Sequence, residues 1–275
     1  MTTPATVAIT GAANGIGLAT ATRFSRAGAR VTIGDIDGEA ALRAAAVLGD
    51  NVTGTALDVS DEASFGAFLE IAEQTHGRLE LVINNAGVDW VGRFDAEPTD
   101  VSRRQLEVNL LGAIIGSRLA LRRMLPRSSG HIVNVASTVG RVPQPHSAVY
   151  SATKWGIVGL TESLRLEYRD SGVRISLVHP GLIQTAMIDG TARPSRLVPL
   201  LSADDCAKEI IDAVARNRFE VWAPRTGWVG PKLANFVPRA VRDRAMLAIG
   251  LADIAGRADT QARRRYHERA FRGKR

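Results

Sequence analysis

Tyr150 and Lys154 stand four residues apart in the sequence YSATK, and Ser137 precedes them at the end of a short apolar run. On a helix, residues with this spacing lie on one face, so the lysine ammonium would lie beside the tyrosine phenol. A free tyrosine titrates at about pH 10, and a neighbouring cation allows it to exchange protons near neutral pH. Ser137 would donate a hydrogen bond to a substrate oxygen. The three side chains therefore predict acid and base chemistry at a substrate oxygen.

A glycine-rich turn, TGAANGIG from Thr10 to Gly17, follows the first apolar run and opens the first helical pattern. Glycines in this context let the backbone approach a pyrophosphate, and the free N–H groups of the helix N-terminus bind its phosphates. We therefore expect a bound dinucleotide, with a simple helix-capping turn as the alternative. The candidate contacts in the turn are Gly11, Asn14, Gly15, Ile16 and Gly17.

Asp35 ends the second apolar run, where a carboxylate is placed to accept hydrogen bonds from both hydroxyls of an adenosine ribose. The same carboxylate would repel a 2′-phosphate. Neither Asn14 in the glycine turn nor Ile36 after the aspartate supplies a cation for such a phosphate. The sequence therefore favours NAD over NADP, although Asp35 as a loop cap is the alternative interpretation.

These residues must be positioned by the elements around them, and short β-branched runs alternate with longer helical patterns along the chain. Runs this short and this continuously apolar are typical of buried parallel strands joined by helices. The sequence predicts an α/β fold with one doubly wound parallel sheet of the Rossmann type. The strand runs are Val7 to Thr10, Val31 to Asp35, Leu81 to Asn85, His131 to Ser137 and Arg174 to Pro180, and the clearest helices are Ile16 to Ala27, Val101 to Leu125 and Ala148 to Ser171.

Composition narrows the class of protein. The chain has 275 residues, 45% of them hydrophobic, which is enough for one large domain. Its single cysteine, Cys206, excludes an internal disulfide and a cysteine-based metal cluster, so we expect a buried inert thiol, a reducing compartment and no metal. The sequence has neither a secretory signal nor an apolar stretch of about 18 residues, which predicts a cytoplasmic protein.

The basic charge of the chain is concentrated towards its C-terminal end. Residues 225–275 carry 13 Lys and Arg against 4 Asp and Glu, whereas residues 1–224 are slightly acidic. We therefore divide the chain into a Rossmann-fold domain, residues 1–224, and a basic helical extension, residues 225–275. The aromatic residues of the extension are scattered and form no stacking series, which disfavours nucleic acid as a partner.

Within the extension, apolar residues recur at helical spacing from Phe236 to Gly256, which predicts an amphipathic helix. The apolar face of this helix must be covered by another surface. We expect this face to cover the substrate cleft or to contact a neighbouring subunit, with an anionic membrane surface as the alternative. The segment from Arg263 to Arg275 adds charge but little apolar area, so it would steer the chain towards such a surface more than anchor it. A disordered, solvated end is the alternative.

Seven motifs between Val7 and Pro224 occur in an order that resembles the short-chain dehydrogenase/reductase family. They are TGAANGIG, LDV around Asp58, NNAG from Asn84 to Gly87, Asn109, Ser137, YSATK, and PGLIQT from Pro180 to Thr185. The resemblance implies an NAD(P)-dependent oxidoreductase whose catalytic residues are Asn109, Ser137, Tyr150 and Lys154. It also implies that Asn109 anchors a water linking Lys154 to solvent, and that Lys154 reaches the nicotinamide ribose.

The same resemblance implies further contacts with the cofactor. Asp58, with Val59 beside it, would accept a hydrogen bond from the adenine edge. The remaining implied contacts are Asn85, Ala86 and Gly87 on the adenosine side, Pro180, Gly181, Ile183 and Thr185 around the nicotinamide carboxamide and a phosphate, and Tyr150 and Lys154 themselves.

The predicted reaction is hydride transfer between NAD(H) and a secondary alcohol or ketone, with Tyr150 as the general acid and base. The candidate pocket residues are mostly apolar and favour a lipophilic substrate such as a steroid, a retinoid or a fatty acyl derivative. They are Val88, Trp90, Val142, His146, Met187 and Ile188. The resemblance implies a homodimer or homotetramer, with Trp155 at a subunit contact. The alternatives are a dinucleotide-binding sensor or scaffold with little catalysis, and a membrane-surface reductase that uses NADP(H).

Overall fold

The computed structural model of the chain describes residues 5–191, 198–234, 236–248, 250 and 260–271. Its strands are β1 Thr6–Thr10, β2 Arg30–Asp35, β3 Val52–Ala56, β4 Leu81–Asn84, β5 Gly130–Val135, β6 Val173–Pro180, β7 Leu182–Gln184, β8 Leu200–Ser202 and β9 Glu220–Ala223. Seven of them form one parallel sheet in the order β3-β2-β1-β4-β5-β6-β9, and β7 pairs with β8 separately. The predicted doubly wound α/β fold is confirmed.

Helices connect the strands and cover the sheet. They are α1 Gly15–Arg26, α2 Gly38–Leu48, α3 Glu62–His76, α4 Thr99–Gln105, α5 Gly112–Met124, α6 Ala148–Glu167, α7 Ala203–Ala215, α8 Val229–Ala234, α9 Arg239–Ala248 and α10 Thr260–Ala270. None of the helices in the described part of the chain is long and apolar enough to cross a bilayer.

The sheet is buried on both faces because successive strand residues point to opposite sides. On one face, Ile9 packs in a cluster with Phe24 of α1 and Ile210 of α7. On the other face, Val82 packs in a cluster with Phe65 of α3. Cys206 belongs to the first cluster and is fully buried, and burial raises the pKa of its thiol to about 12.

The chain order reverses between β1 and β4, which are hydrogen-bonded neighbours in the sheet. In a doubly wound sheet, this reversal opens a crevice at the carboxyl ends of the strands, where ligands bind. Thr10, Asn84 and Pro180 end their strands at this edge. The glycine turn, the NNAG segment and the PGLIQT segment therefore meet at one side of the sheet.

The predicted helix Val101 to Leu125 forms, but it is interrupted. Between α4 and α5, residues Leu106–Leu111 make a π-helical segment that contains Asn109. Such segments insert an extra residue into the helix and occur often at functional sites. The interruption turns the Asn109 side chain, which is 1% exposed, into the interior of the protein.

The C-terminal region differs from its prediction in two ways. The amphipathic helix predicted from Phe236 to Gly256 is described as α9, Arg239–Ala248, and residues 249 and 251–259 lie outside the described residues. None of the described residues of α9 is buried, so the expected packing on the substrate cleft is wrong for this helix. By contrast, the segment for which a solvated end was the alternative contains most of α10. Its residues Arg263 and Tyr266 are only 5% and 7% exposed, so this helix packs on the rest of the chain.

Candidate active site

Tyr150 and Lys154 lie on the first turns of α6, on the face that packs against the sheet. The Lys154 Nζ atom is 5.5 Å from the centroid of the Tyr150 ring. Nζ also donates a 3.0 Å hydrogen bond to the carbonyl oxygen of Val135 at the end of β5. Lys154 is 3% exposed. Its ammonium group is therefore buried, bonded to the end of β5 and close to the tyrosine ring.

Burial opposes the charged form of both residues. It raises the pKa of Tyr150 above its usual value, and the negative charge of Asp89 adds to this increase. Burial lowers the pKa of Lys154 to about 8, and the charge of Asp89 opposes that decrease. The lysine is therefore charged near neutral pH, where a cation beside the phenol favours its deprotonated form.

Ser137 follows β5 and begins a short 3-10 turn, Thr138–Gly140. Its hydroxyl accepts a 3.3 Å hydrogen bond from the Val139 N–H, which closes this turn. Hydrogen bonding with Ser137 acts to lower the pKa of Tyr150. The serine and the tyrosine therefore face a common point, although they come from different elements.

Asn109 is bonded to the NNAG loop by both ends of its amide. Its Oδ1 accepts a 2.8 Å hydrogen bond from the Val88 N–H, and its Nδ2 donates to the Val88 carbonyl oxygen at 2.9 Å. Nδ2 also lies 3.1 Å from Thr153 Oγ1 on α6. A Cβ atom on Gly87 would lie 3.4 Å from Asn109 Oδ1 and 3.6 Å from Lys154 Nζ, so the two candidate relay residues border one point.

The glycine turn is shaped to receive phosphates. Gly15 has a φ of +57°, and a Cβ atom there would lie 3.4 Å from the Thr185 side chain. A Cβ atom on Gly17 would lie 2.4 Å from the Gly11 carbonyl oxygen, so only glycine fits. Asn14, at the N-cap of α1, makes no capping hydrogen bond with its side chain. The turn therefore fits a dinucleotide, whose phosphates the N–H groups at the start of α1 would bind.

Asp35 lies at the end of β2 and faces this turn. One carboxylate oxygen accepts a 3.1 Å hydrogen bond from the Ala13 N–H, and the other accepts a 3.2 Å bond from the Asp37 N–H. Burial raises the pKa of Asp35, and these two hydrogen bonds oppose the increase. Because each carboxylate oxygen has a second lone pair, Asp35 retains the capacity to accept from ribose hydroxyls.

Asp58 follows β3 and is bonded to neighbouring polar groups. Burial would raise the pKa of this carboxyl, but hydrogen bonds from Ser60 and the charge of Arg104 outweigh burial and lower it. Arg104 Nη2 lies 3.4 Å from Asp58 Oδ1. The structure thus gives Asp58 a second task, which is to link the end of β3 to α4.

The NNAG and PGLIQT segments both lie against the glycine turn. Asn85 Nδ2 donates hydrogen bonds to the carbonyl oxygens of Thr10 at 2.9 Å and Gly11 at 3.0 Å. The Ala86 N–H donates to Thr10 Oγ1 at 3.1 Å. The Gly181 N–H donates to the Ala223 carbonyl oxygen at 2.7 Å, which fixes the start of the second segment on β9. Of the other predicted contacts, Val59 and Ile183 are buried in the apolar clusters.

Helix α10 contacts the loops that carry the predicted pocket residues, which was not expected from the sequence. Tyr266 accepts a 3.1 Å hydrogen bond at its hydroxyl from the Asp89 N–H. Arg263 Nη1 donates to the Met187 carbonyl oxygen at 2.6 Å, and its Nη2 lies 3.4 Å from the Asp89 carbonyl oxygen. The His267 ring stacks on the predicted pocket residue Trp90, with centroids 6.4 Å apart. The C-terminal helix therefore joins two loops that carry predicted pocket residues.

The other predicted pocket residues lie in the same region, with one backbone feature of note. His146 has a φ of +67°, a left-handed conformation that costs free energy for a residue other than glycine. Its carbonyl oxygen accepts a 2.9 Å hydrogen bond from the Gly92 N–H, which ties the loop before α6 to the loop after β4. Val88, Val142 and Ile188 are partly buried.

Comparisons with known proteins agree with this geometry. The profile of the family described as short chain dehydrogenase matches residues 5–195. Cis-4-hydroxycyclohexanecarboxylate dehydrogenase of Sinomonas cyclohexanicum is 35% identical over 243 residues, covering 85% of this chain and 92% of that protein. 1-Deoxy-11-beta-hydroxypentalenate dehydrogenase of Streptomyces exfoliatus is 35% identical over 223 residues, covering 78% of this chain and 81% of that protein.

A solved structure gives the same result. The crystal structure of a short chain dehydrogenase/reductase from Burkholderia phymatum in complex with NAD has a TM-score of 0.78 and 28% sequence identity, covering 86% of this chain and 94% of that chain. The fold and the site thus define an oxidoreductase that uses a nicotinamide dinucleotide. The chain belongs to the short-chain dehydrogenase family, whose members act on alcohols and ketones.

Proposed function

We propose that the protein is an NAD-dependent dehydrogenase that interconverts a lipophilic secondary alcohol and its ketone, with Tyr150 as the general acid and base. The observation that carries this proposal is the position of Lys154 Nζ, 5.5 Å from the Tyr150 ring and fixed on the end of β5. A buried cation beside a partly buried phenol favours catalysis over a dinucleotide-binding sensor. Asn109 and Ser137 complete the same site.

In alcohol oxidation, Ser137 donates a hydrogen bond to the substrate oxygen and orients it. Tyr150, as the phenolate, takes the hydroxyl proton. Burial and the charge of Asp89 disfavour the phenolate in the chain alone, and the charge of Lys154 stabilises it when it forms. The bound nicotinamide supplies the hydride acceptor, so the carbon loses a hydride as its oxygen loses a proton and the C–O bond becomes a carbonyl. Tyr150 then passes the proton on to Lys154. From there it reaches solvent through the water that Asn109 would anchor. Ketone reduction is the reverse.

Asp35 supports NAD as the preferred cofactor. Its carboxylate faces the glycine turn through Ala13, and burial around it would make the approach of a 2′-phosphate costly. Ile36, the next residue, is exposed and provides no positive charge. A preference of the enzyme for NADP over NAD would contradict this part of the proposal.

The names of two relatives narrow the range of alcohols to test. Both describe compounds that carry a hydroxyl and a carboxylate, namely hydroxycyclohexanecarboxylate and hydroxypentalenate. We therefore place cyclic secondary alcohols beside the steroid, retinoid and fatty acyl classes that the apolar pocket residues favour. The partly buried Val88, Val142 and Ile188 support a lipophilic ring in this pocket.

The experiment is an assay of NADH formation by the purified full chain with a panel of cyclic and long-chain secondary alcohols. Turnover with at least one of them, and a larger kcat/KM with NAD than with NADP, supports the proposal. If NADH binds but no alcohol or ketone in the panel turns over, the sensor or scaffold function is favoured instead.

Self-association through α6 is part of the proposal, since the family resemblance implies dimers or tetramers. Trp155 on this helix is 47% exposed, a large apolar side chain that a neighbouring subunit would cover. Light scattering of the unmodified chain and of Trp155→Glu tests it. A mass that stays the same in the variant would remove Trp155 from the interface.

Helix α9 favours a second contact, with an anionic membrane surface. Phe236, Val241 and Leu247 are exposed on or beside this helix, together with the exposed Arg239 and Arg244. Exposed apolar area with nearby arginines is what interfacial binding uses. Co-sedimentation with anionic and neutral vesicles tests this contact. Salt-sensitive binding to anionic vesicles that is lost in Phe236→Ser/Leu247→Ser supports it, and binding that the variant retains contradicts it.

A further inference from the structure

Asp89 follows the NNAG segment, two residues after Gly87, and takes no part in the mechanism above. Its side chain is 7% exposed, and its Oδ1 atom is buried without a hydrogen-bond partner among the residues that the structure describes. Buried polar atoms are nearly always hydrogen-bonded, and an unpartnered carboxylate oxygen is costly. This oxygen is therefore a candidate to bind a group that enters the site.

The charge of Asp89 reaches the reacting groups. After burial, it is the largest cause that raises the pKa of Tyr150, and it also opposes the decrease in the pKa of Lys154. Burial raises the pKa of Asp89 itself to about 7, and the charge of Glu97 adds to the increase. The charges of Arg263 and Lys154 and a hydrogen bond with the Ser147 side chain oppose it.

The geometry of the loop agrees with this coupling. Both backbone groups of Val88, the residue before Asp89, are bonded to Asn109, and a Cβ atom on Gly87 would lie 3.6 Å from Lys154 Nζ. Asp89 is therefore next to the residues that would act on the substrate oxygen.

Helix α10 fixes Asp89 in this position. The hydroxyl of Tyr266 accepts a hydrogen bond from the Asp89 N–H, and Arg263 reaches the Asp89 carbonyl oxygen. Arg263 also bonds the carbonyl oxygen of Met187 on the opposite loop. Both backbone groups of Asp89 are therefore held, which fixes the main chain at this position, and burial of the side chain limits rotation of its carboxyl.

We propose that Asp89, fixed by α10, is a specificity-determining residue whose carboxylate accepts a hydrogen bond from a second hydroxyl group of the substrate. The inference rests on the proposed alcohol dehydrogenase function and narrows its substrate class to diols and hydroxyketones. A neutral hydroxyl fits better than an ammonium group, because the charges of Arg263 and Lys154 already act on Asp89. A carboxylate on the substrate at this position would be repelled by Asp89.

The test compares cyclohexanol with the 1,2-, 1,3- and 1,4-cyclohexanediols as substrates of the full chain, with NADH formation as the readout. In the unmodified enzyme, kcat/KM for at least one diol should exceed that for cyclohexanol by roughly 10- to 100-fold, as expected for a hydrogen bond to a charged group. Asp89→Leu should abolish this advantage. Cyclohexanol should still be oxidised by this variant when the assay is run below the pKa of Lys154, where loss of the Asp89 charge has least effect on that lysine.

Asp89→Asn provides a variant of the same shape, which guards against loss of folding in Asp89→Leu. The amide oxygen still accepts a hydrogen bond but carries no charge, so the diol advantage should fall without disappearing. Tyr266→Phe removes the acceptor that holds the Asp89 N–H, and should reduce the diol advantage more than the turnover of cyclohexanol. Asp95→Asn, an exposed aspartate on the same loop, is the matched control and should change neither rate.

The outcomes separate this inference from the function on which it rests. If the unmodified enzyme oxidises cyclohexanol but no diol faster, or if Asp89→Leu retains the diol advantage, Asp89 does not read a second hydroxyl. If no alcohol of either kind is oxidised although NADH binds, the dehydrogenase function itself is contradicted, and the inference falls with it.

Discussion

The backbone N–H of Asp89 donates a 3.1 Å hydrogen bond to the hydroxyl of Tyr266, although 177 residues separate the two in the chain. Asp89 follows the NNAG segment after β4, and Tyr266 lies on the last described helix. Tyr266 also acts on Tyr150, the proposed general acid and base, whose pKa is raised by burial, by Asp89 and by Tyr266 in that order. The bond therefore connects a remote helix to the proton-exchanging residue.

Tyr150→Phe removes the phenol hydroxyl and keeps the ring. We expect kcat to fall by at least about 100-fold, the contribution of a general acid or base, with little change in NADH affinity. Steady-state turnover and NADH fluorescence titration measure the two quantities. Tyr168→Phe, near the end of the same helix, is the matched control. Unchanged turnover in Tyr150→Phe would remove this residue from the mechanism.

Asp35→Ala tests the choice of cofactor. Removing the carboxylate relieves repulsion of the 2′-phosphate, so the ratio of kcat/KM with NAD to kcat/KM with NADP should fall by about tenfold or more. Asp37→Ser removes a nearby charge but keeps a side chain that caps α2, and should leave the ratio unchanged. Tighter binding of NADPH than of NADH by the unmodified chain would show that Asp35 does not select NAD.

Lys154 predicts the pH dependence of ketone reduction. Burial lowers its pKa to about 8, so its charge is present below about pH 8 and lost above it. Tyr150 stays protonated in this range because its pKa is raised. Since kcat/KM reports ionisations of the free enzyme, it should decline above about pH 8.

Two variants check the origin of this decline. Lys154→Arg keeps its charge at high pH, so its lower activity should be flat across the same range. Asp89→Asn removes a charge that raises the pKa of Lys154, so the decline should move to lower pH. A decline at the same pH in both variants would assign it to another group.

His131 predicts a loss of stability in acid. Burial is the main cause that lowers its pKa, from 6.5 to about 3, and the charge of Arg174 adds to the decrease. Ser176 donates its hydroxyl proton to the Arg218 carbonyl oxygen at 2.6 Å, so His131 must donate from Nε2, 2.8 Å away, and Nδ1 is a buried atom without a partner among the described residues. Protonation would bury a charge there.

Because the folded pKa is below the unfolded one, the stability that depends on neutral His131 is complete above about pH 6.5 and is lost as the pH falls towards 3. Between pH 7.5 and pH 5 the loss from this residue should be about 2 kcal/mol. Urea unfolding at both pH values measures it. Gln cannot titrate, so the free energy of unfolding of His131→Gln should change less between the two pH values by this amount. An equal change in the variant and the unmodified chain would show that His131 is not the group responsible.

Much of the fold was predictable because it depends on local patterns. Apolar runs such as Val31 to Asp35 are strands since both of their faces are buried, and the turn before α1 needs glycine at Gly15 and Gly17 for reasons of local geometry. The strand β3 was missed. Its sequence, VTGTA, is interrupted by Gly54, and a Cβ atom there would lie 2.3 Å from the Ala41 carbonyl oxygen. The glycine that weakened the pattern is the one that lets α2 pack closely.

The substrate side was predicted less completely, because it depends on contacts between remote segments. Arg263, Tyr266 and His267 have the spacing of one helix face, and this pattern was available in the sequence. The many charged residues around these three made the segment resemble a solvent-exposed end. The spacing also does not show which surface of the protein a charged helix would contact. The environment of Asp89 likewise arises only when α10 reaches the loop after β4.

Because α10 lies far along the chain from α6, proton exchange and substrate contact would be carried by different segments of the sequence. The residues proposed to exchange the proton follow β5 or lie on α6, in the middle of the sequence, whereas one boundary of the proposed substrate site comes from an eleven-residue helix near its end. Substitutions in that helix alter the boundary while the sheet and the proton-exchanging residues stay intact. Divergent descendants of this chain could therefore acquire new substrates through a short terminal segment, under selection that leaves the reaction chemistry unchanged.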